Sequence, residues 1–120
     1  MEVVIIVSQI IIAASILTVW LIRYRKATNW RGGLARNMQD EFRIYGLPIS
    51  FMTVIGLLKL FLAASLIAGI WFPAVTKPAA VGITILMLGA VAMHFKVQDP
   101  LKKSLPAFTL FALSLMITVI

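Results

Sequence analysis

The most constraining feature of this sequence is a run of twenty residues, Val3 to Ile22, without a single charged side chain. As an α-helix this run is about 30 Å long, which matches the hydrocarbon thickness of a bilayer. Glu2 precedes the run and basic residues follow it from Arg23, whereas a cleaved signal peptide carries its basic residues at the start. The run is therefore predicted to be a retained transmembrane helix.

The composition of the whole chain agrees with a membrane environment. Of 120 residues, 62% are hydrophobic and 12% are charged, and the mean hydropathy is +1.04. A soluble domain is about one quarter charged, so this chain lacks the polar residues that a water-facing surface requires. The absence of cysteine excludes disulfides and thiolate metal sites within the chain. The net charge of +7 does not indicate nucleic-acid binding, because the basic residues lie between apolar runs.

Three further apolar runs predict three more spans. They cover about 48–72, 79–95 and 104–120, with Trp71 and Phe72 as an aromatic belt and Pro106 in the first turn of the last span. The predicted fold is an all-α integral membrane four-helix bundle, and residues 1–120 form one domain.

The first connection contains a short amphipathic segment. Its apolar residues recur at steps of four, four and three, which is typical of a helix that lies at a membrane interface or on the bundle. Asn37 is a candidate N-cap, Asp40 and Arg43 are spaced for an ion pair, and Gly46 with Pro48 gives a stop signal. A short interfacial helix is predicted over Leu34 to Tyr45, with the stripe Leu34, Met38, Phe42 and Tyr45.

Charge asymmetry predicts the orientation. With four spans, the first and third connections lie on one side, and they hold nine of the eleven basic residues. Cytoplasmic loops carry the excess of Lys and Arg. We therefore expect a multi-pass protein of the bacterial inner (plasma) membrane with both termini outside the cytoplasm.

Two segments resemble the DoxX-like family of small bacterial membrane proteins. They are NWRGGLARNMQDEFRIYGLP, from Asn29 to Pro48, and MLGAVAMHFKVQDPLKKSLPA, from Met87 to Ala107. The family has four spans, a polar first connection that ends in tyrosine, glycine and proline, and a histidine near the end of the third span. Relatives are small subunits associated with thiosulfate:quinone oxidoreductase or terminal oxidase systems, which implies a quinone-adjacent accessory role. Thiol-handling relatives depend on cysteines, which this chain lacks.

Lys59 is the most informative single residue, because it interrupts the second span. An ammonium group near the bilayer centre costs several kcal/mol unless it is paired or solvated. Gly56 and Ala63 share its helical face at i−3 and i+4, and such small residues mark the face where helices pack. Lys59 is therefore predicted to point into the bundle.

The candidate ligand-binding residues lie toward the side of the first and third connections. Lys59 could be a structural lock, part of a pocket for a quinone head group, or part of a proton path. No metal is predicted, because His94 is the only histidine and the acids are scattered. No covalently bound cofactor is expected either, and quinone is the candidate ligand. The set is Lys59, His94, Glu41, Asp99 and Thr18, with Ser15 as a further hydroxyl.

Three functional hypotheses stay open on the sequence. The first is an accessory or quinone-interacting subunit of a respiratory or sulfur-oxidising membrane redox system, which is not a complete enzyme on its own. The second is an oligomeric transporter or channel in which Lys59 attracts anions. The third is a structural assembly factor without catalysis. The expected partners are membrane lipid, other redox subunits or further copies of the chain, and no nucleic acid.

Overall fold

The computed structural model describes residues 2–22, 37–99 and 101–120, and these ranges are helical or turn with no strand. Four of the helices are long and apolar enough to cross a membrane, so the predicted all-α four-helix membrane fold is confirmed. The elements are α1 (Glu2–Leu17), continued by a π-helical segment (Thr18–Ile22), then α2 (Met38–Ile44), α3 (Ile49–Ala68), a 3-10 turn (Pro73–Val75), α4 (Thr76–Lys96) and α5 (Leu101–Val119).

The four long helices pack in a ring, in which α1 and α4 each contact both α3 and α5. Each long helix contributes one large, fully buried aliphatic side chain: Ile12, Leu66, Ile83 and Ile117. The outer surface is also apolar, and Leu57 and Phe61 are about two-thirds exposed, at 64% and 66%. Because lipid is as apolar as these side chains, packing and hydrogen bonds between helices hold such a bundle together.

Two such hydrogen bonds come from polar side chains within the described helices. Gln9 on α1 donates from Nε2 to the carbonyl of Leu66 on α3 over 2.8 Å. The Thr84 hydroxyl on α4 lies 3.0 Å from the hydroxyl of Ser114 on α5, and Ser114 is fully buried. Each contact ties two neighbouring helices. Sequence analysis did not identify these links.

The predicted helix of the first connection is confirmed over Met38–Ile44, while Leu34 to Arg36 lie outside the described residues. Asn37 caps it, since its Oδ1 accepts a hydrogen bond from the backbone N–H of Asp40 over 2.8 Å. Arg43 pairs with Asp40 at 3.4 Å, and Gly46 ends the segment with a φ of +79°. The apolar stripe packs against the bundle, and its buried members are Met38, Phe42 and Tyr45.

Three helix ends differ from the sequence estimate. α3 ends at Ala68, because the Ala68 carbonyl accepts the N–H groups of Trp71 and Phe72 and closes a turn. α4 already begins at Thr76. α5 begins at Leu101, so Pro106 lies in its second turn and not in the first. Proline has no N–H, and its ring disfavours the hydrogen bond to the carbonyl four residues earlier, so this turn is locally weakened.

Candidate functional site

A cavity of about 630 Å³, which we call the main cavity, lies between the helices at the end of the bundle that holds the first and third connections. We call this end the basic end. All five helices contribute to the wall, which is mostly apolar. The polar exceptions at the basic end are Glu41, Tyr45, Lys59, His94 and Lys103. The cavity therefore has an apolar body and a polar end.

The main cavity opens sideways, toward the surface that faces lipid in a membrane. Ile11, Val19 and Leu105 line it and are themselves 43%, 39% and 52% exposed. Because all three lie on segments long and apolar enough to cross a membrane or on their direct continuation, an apolar molecule could enter from the bilayer.

Lys59 lies in the wall of this cavity, and its ammonium group rests over an aromatic ring. Its Nζ is 5.6 Å from the centroid of the Trp20 ring, which is within the range of a cation–π interaction. Trp20 can lie there because Gly56 has no side chain: a Cβ atom at this position would lie 2.7 Å from Trp20 Cε3. Within the described ranges Lys59 has no hydrogen-bond or ion-pair partner. Its N–H donors are thus available to a ligand.

His94 and Asp99 form a buried pair beside the cavity. His94 Nδ1 is 2.9 Å from Asp99 Oδ2, and the two side chains are 7% and 5% exposed. The chain folds back after α4 to make this contact: Gln98 has a φ of +59°, and the Asp99 N–H donates to the His94 carbonyl over 3.0 Å. When Asp99 is ionised, Nδ1 must carry a hydrogen, so Nε2 becomes the acceptor atom of a neutral His94 ring.

The helix α2 closes the polar end. The Tyr45 hydroxyl donates to Glu41 Oε1 over 2.8 Å, one helical turn away. Lys96 Nζ donates to the Tyr45 carbonyl over 2.8 Å, which ties the end of α2 to the end of α4. The Tyr45 and His94 rings meet edge to face, with centroids 6.1 Å apart. The acid, the phenol and the imidazole are thereby held on one side of the cavity.

The structure brings together most, but not all, of the residues singled out in the sequence. Lys59, Glu41 and His94 line the main cavity. Asp99 does not line it but is hydrogen-bonded to His94. Thr18 does not line it, and its hydroxyl donates to the Ala14 carbonyl over 2.7 Å. Ser15 does line the cavity. The part these residues play in ligand binding stays a prediction.

Sequence analysis missed several polar or aromatic lining residues, among them Trp20, Tyr45 and Lys103. Tyr45 was assigned to the packing stripe, although its spacing of four from Glu41 also allows a hydrogen bond. Lys103 shares helical spacing with Ala107 and Leu110, which line the same cavity. This i, i+4, i+7 pattern was the signal that could have identified it.

Comparison with known proteins gives a family but no assigned activity. A sequence model described as the DoxX-like family matches residues 26–117, which include all of α2, α3 and α4. A Bacillus subtilis (strain 168) protein, described as uncharacterized protein YdgD, is 32% identical over 79 residues. These residues cover 65% of this chain and 69% of that protein. No solved structure matches the chain.

Proposed function

The chain belongs to the DoxX-like family of membrane proteins, and we propose that it binds the head group of a quinone in its main cavity as an accessory subunit of a membrane redox system. The observation that carries this proposal is the polar end of an apolar cavity that opens toward lipid. A quinone likewise has a polar part, its ring with two carbonyl groups, and an apolar part, its tail. The volume of about 630 Å³ falls among those of small-molecule sites.

The polar groups suit both redox states of such a ring. The carbonyl oxygens of a quinone only accept hydrogen bonds, and Lys59 has N–H groups without a partner among the described residues. The hydroxyl groups of a quinol donate, and His94 presents an acceptor once Asp99 holds the hydrogen on Nδ1. Lys59 would thus orient the oxidised ring, while His94 would take a hydrogen bond from the reduced ring.

An accessory role follows from what the chain can supply. It has no cysteine and a single histidine, so it has no thiol pair and no pair of histidines to hold a haem. Electrons for the quinone would therefore come from a partner subunit. The chain itself would provide a binding place with defined hydrogen bonds.

Fluorescence quenching provides the test, because quinones quench tryptophan and Trp20 lines the cavity. The protein in detergent is titrated with short-chain ubiquinone and menaquinone analogues. We expect saturable quenching that disappears in Trp20→Phe, which identifies the reporter.

The decisive comparison is Lys59→Met against Lys102→Met. Methionine keeps an unbranched apolar stem and removes the charge, and Lys102 is exposed and does not line the cavity. We expect Lys59→Met to weaken binding by about tenfold, the worth of one charge-assisted hydrogen bond, while Lys102→Met binds like the unchanged protein. The variant should fold normally, since apolar replacement of a buried charge is often neutral or stabilising. Equal binding by both variants would refute the proposal.

Native mass spectrometry of the protein extracted in mild detergent tests the accessory role separately. We expect a complex with redox subunits and bound quinone. A homo-oligomer without either would instead favour the transporter hypothesis, and a complex with neither quinone nor redox subunits would favour an assembly factor.

A further inference from the structure

A second cavity, of about 380 Å³, lies at the end of the bundle opposite the main cavity. It is formed by the start of α1, the turn between α3 and α4, and the end of α5. We call it the far cavity. It contains two buried polar side chains, Gln9 and Thr76, and two charged residues, Glu2 and Lys77. Its position at the helix ends places it at the level of the lipid head groups.

The Gln9 amide leaves one atom without a partner. Its Nε2 lies 2.8 Å from the Leu66 carbonyl and 3.4 Å from Thr76 Oγ1, so both amide hydrogens are used. A carbonyl can only accept, and this fixes which amide atom is the nitrogen. Gln9 is 2% exposed, and its Oε1 has no partner in the described part of the chain. No fully enclosed side-chain polar atom among the described residues is unsatisfied, so Oε1 must open onto the cavity that Gln9 lines.

The side-chain amide of Gln9 is held in place by Thr76 and by the end of α3. The Thr76 hydroxyl donates to the Gly69 carbonyl over 3.1 Å, and it accepts the longer bond from Gln9. A Cβ atom at Gly69 would collide with Thr76 Oγ1 and lie 3.2 Å from Gln9 Nε2. The end of α3 therefore fits closely around the Gln9 and Thr76 side chains. A ligand would meet an acceptor whose orientation is already set, which reduces the entropy lost on binding.

We propose that the far cavity binds the phosphoethanolamine head group of a membrane phospholipid. Such a head group carries an ammonium with N–H donors for Gln9 Oε1 and Glu2, and a phosphate for Lys77. The acyl chains would lie along the apolar residues of the same cavity, among them Ile5 and Ile117. A choline head group has no N–H to donate, and a glycerol head group has no positive charge for Glu2. The chemistry thus selects ethanolamine lipids.

Lipid binding by the unchanged protein is the primary test, because it avoids any variant that could misfold. Phosphatidylethanolamine, its N-trimethylated phosphatidylcholine counterpart and phosphatidylglycerol, all with the same acyl chains, are titrated into detergent-solubilised protein and bound lipid is counted by native mass spectrometry. We expect phosphatidylethanolamine to bind about tenfold more tightly than the other two, as the loss of one charge-assisted hydrogen bond implies. Equal affinity for all three lipids would overturn the proposal.

Charge variants locate the binding site. Glu2→Gln and Lys77→Gln should each abolish most of the preference, whereas Lys102→Gln, which changes an exposed lysine at the basic end, should preserve it. A preference that survives both far-cavity changes would place the lipid elsewhere and refute the assignment. Soluble phosphoethanolamine is added as a competitor to separate a lipid from a water-borne ligand. It should displace lipid only at concentrations far above those of the lipid, and tight binding of the soluble compound would overturn the assignment to lipid.

Discussion

Replacing Gly56 by alanine tests the packing that places Lys59 in the main cavity. A Cβ atom on Gly56 would lie 2.7 Å from Trp20 Cε3, 3.1 Å from Trp20 Cη2 and closer still to Trp20 Cζ3. Carbon atoms pack best at about 3.5–4.0 Å, so the ring must withdraw by roughly 1 Å. Trp20 is only 9% exposed and its ring meets Phe42 edge to face, so the ring has little room to move.

The expected cost has two opposing parts. Overpacking of a buried site costs about 1–3 kcal/mol of unfolding free energy. Alanine in a helix interior returns about 1 kcal/mol relative to glycine. Gly89→Ala separates the two parts, because a Cβ atom at Gly89 meets nothing within 4 Å. Both variants gain helix propensity, and only Gly56→Ala meets the ring. Gly56→Ala should therefore be less stable than Gly89→Ala by about 1–3 kcal/mol.

Thermal unfolding in one detergent, followed by far-ultraviolet circular dichroism, measures this difference. For a chain of this length it corresponds to a midpoint lower by roughly 3–6 °C per kcal/mol. Trp20 emission, read with Trp30 and Trp71 replaced by phenylalanine, should shift in Gly56→Ala alone. Equal midpoints and unchanged emission in the two variants would refute the packing of Trp20 on Gly56.

Three further predictions address the orientation, the site and the bundle. A periplasmic reporter fused after Ile120 should be active, because nine of eleven basic residues lie in the first and third connections. Activity of a cytoplasmic reporter at the same position would show that the orientation is the opposite of the predicted one. Asp99→Asn should weaken quinol binding by about tenfold and quinone binding less, because His94 loses its charged partner; equal losses in the quenching titration would argue against this role. Thr84→Val should lower the unfolding free energy by only about 0.6 kcal/mol, as typical for one hydrogen bond between membrane helices; a loss above about 2 kcal/mol would contradict a single bond to Ser114.

The fold could be predicted because the sequence expresses it in local patterns. Four long apolar runs suffice to indicate four spans, and Asn37 marks the start of α2 by a side-chain contact only three residues away. The links between helices could not be predicted in the same way. Gln9 and Thr76 are 67 positions apart, and nothing in the sequence near either residue indicates the other. Their pairing becomes visible only once α1, α3 and α4 meet.

The candidate site likewise has features that could be predicted from the sequence and features that could not. Gly56 and Ala63 indicated the inner face of α3, and both are buried. Thr18 was expected at the site as a hydroxyl supplied by the first span. The chain becomes π-helical at Thr18, where Val19 and Trp20 line the cavity in its place. A π-helix has more residues per turn than an α-helix, so residues from Thr18 onward point in directions that α-helical spacing does not predict.

A row of aromatic rings in contact connects the polar groups of the main cavity, and these rings come from different helices. From His94 the rings of Tyr45, Phe42 and Trp20 follow one another, each with its centroid 6.1 Å from the next. The Lys59 ammonium makes a cation–π contact with the last ring, Trp20. Phe42 belongs to α2 and Tyr45 is its C-cap residue, and the Tyr45 carbonyl is tied to α4 by the hydrogen bond from Lys96. The imidazole and the ammonium are therefore connected through α2 as well as through the spans. Without this short helix the bundle would lose the fixed arrangement of donors and acceptors at the polar end, on which the proposed recognition of a head group depends.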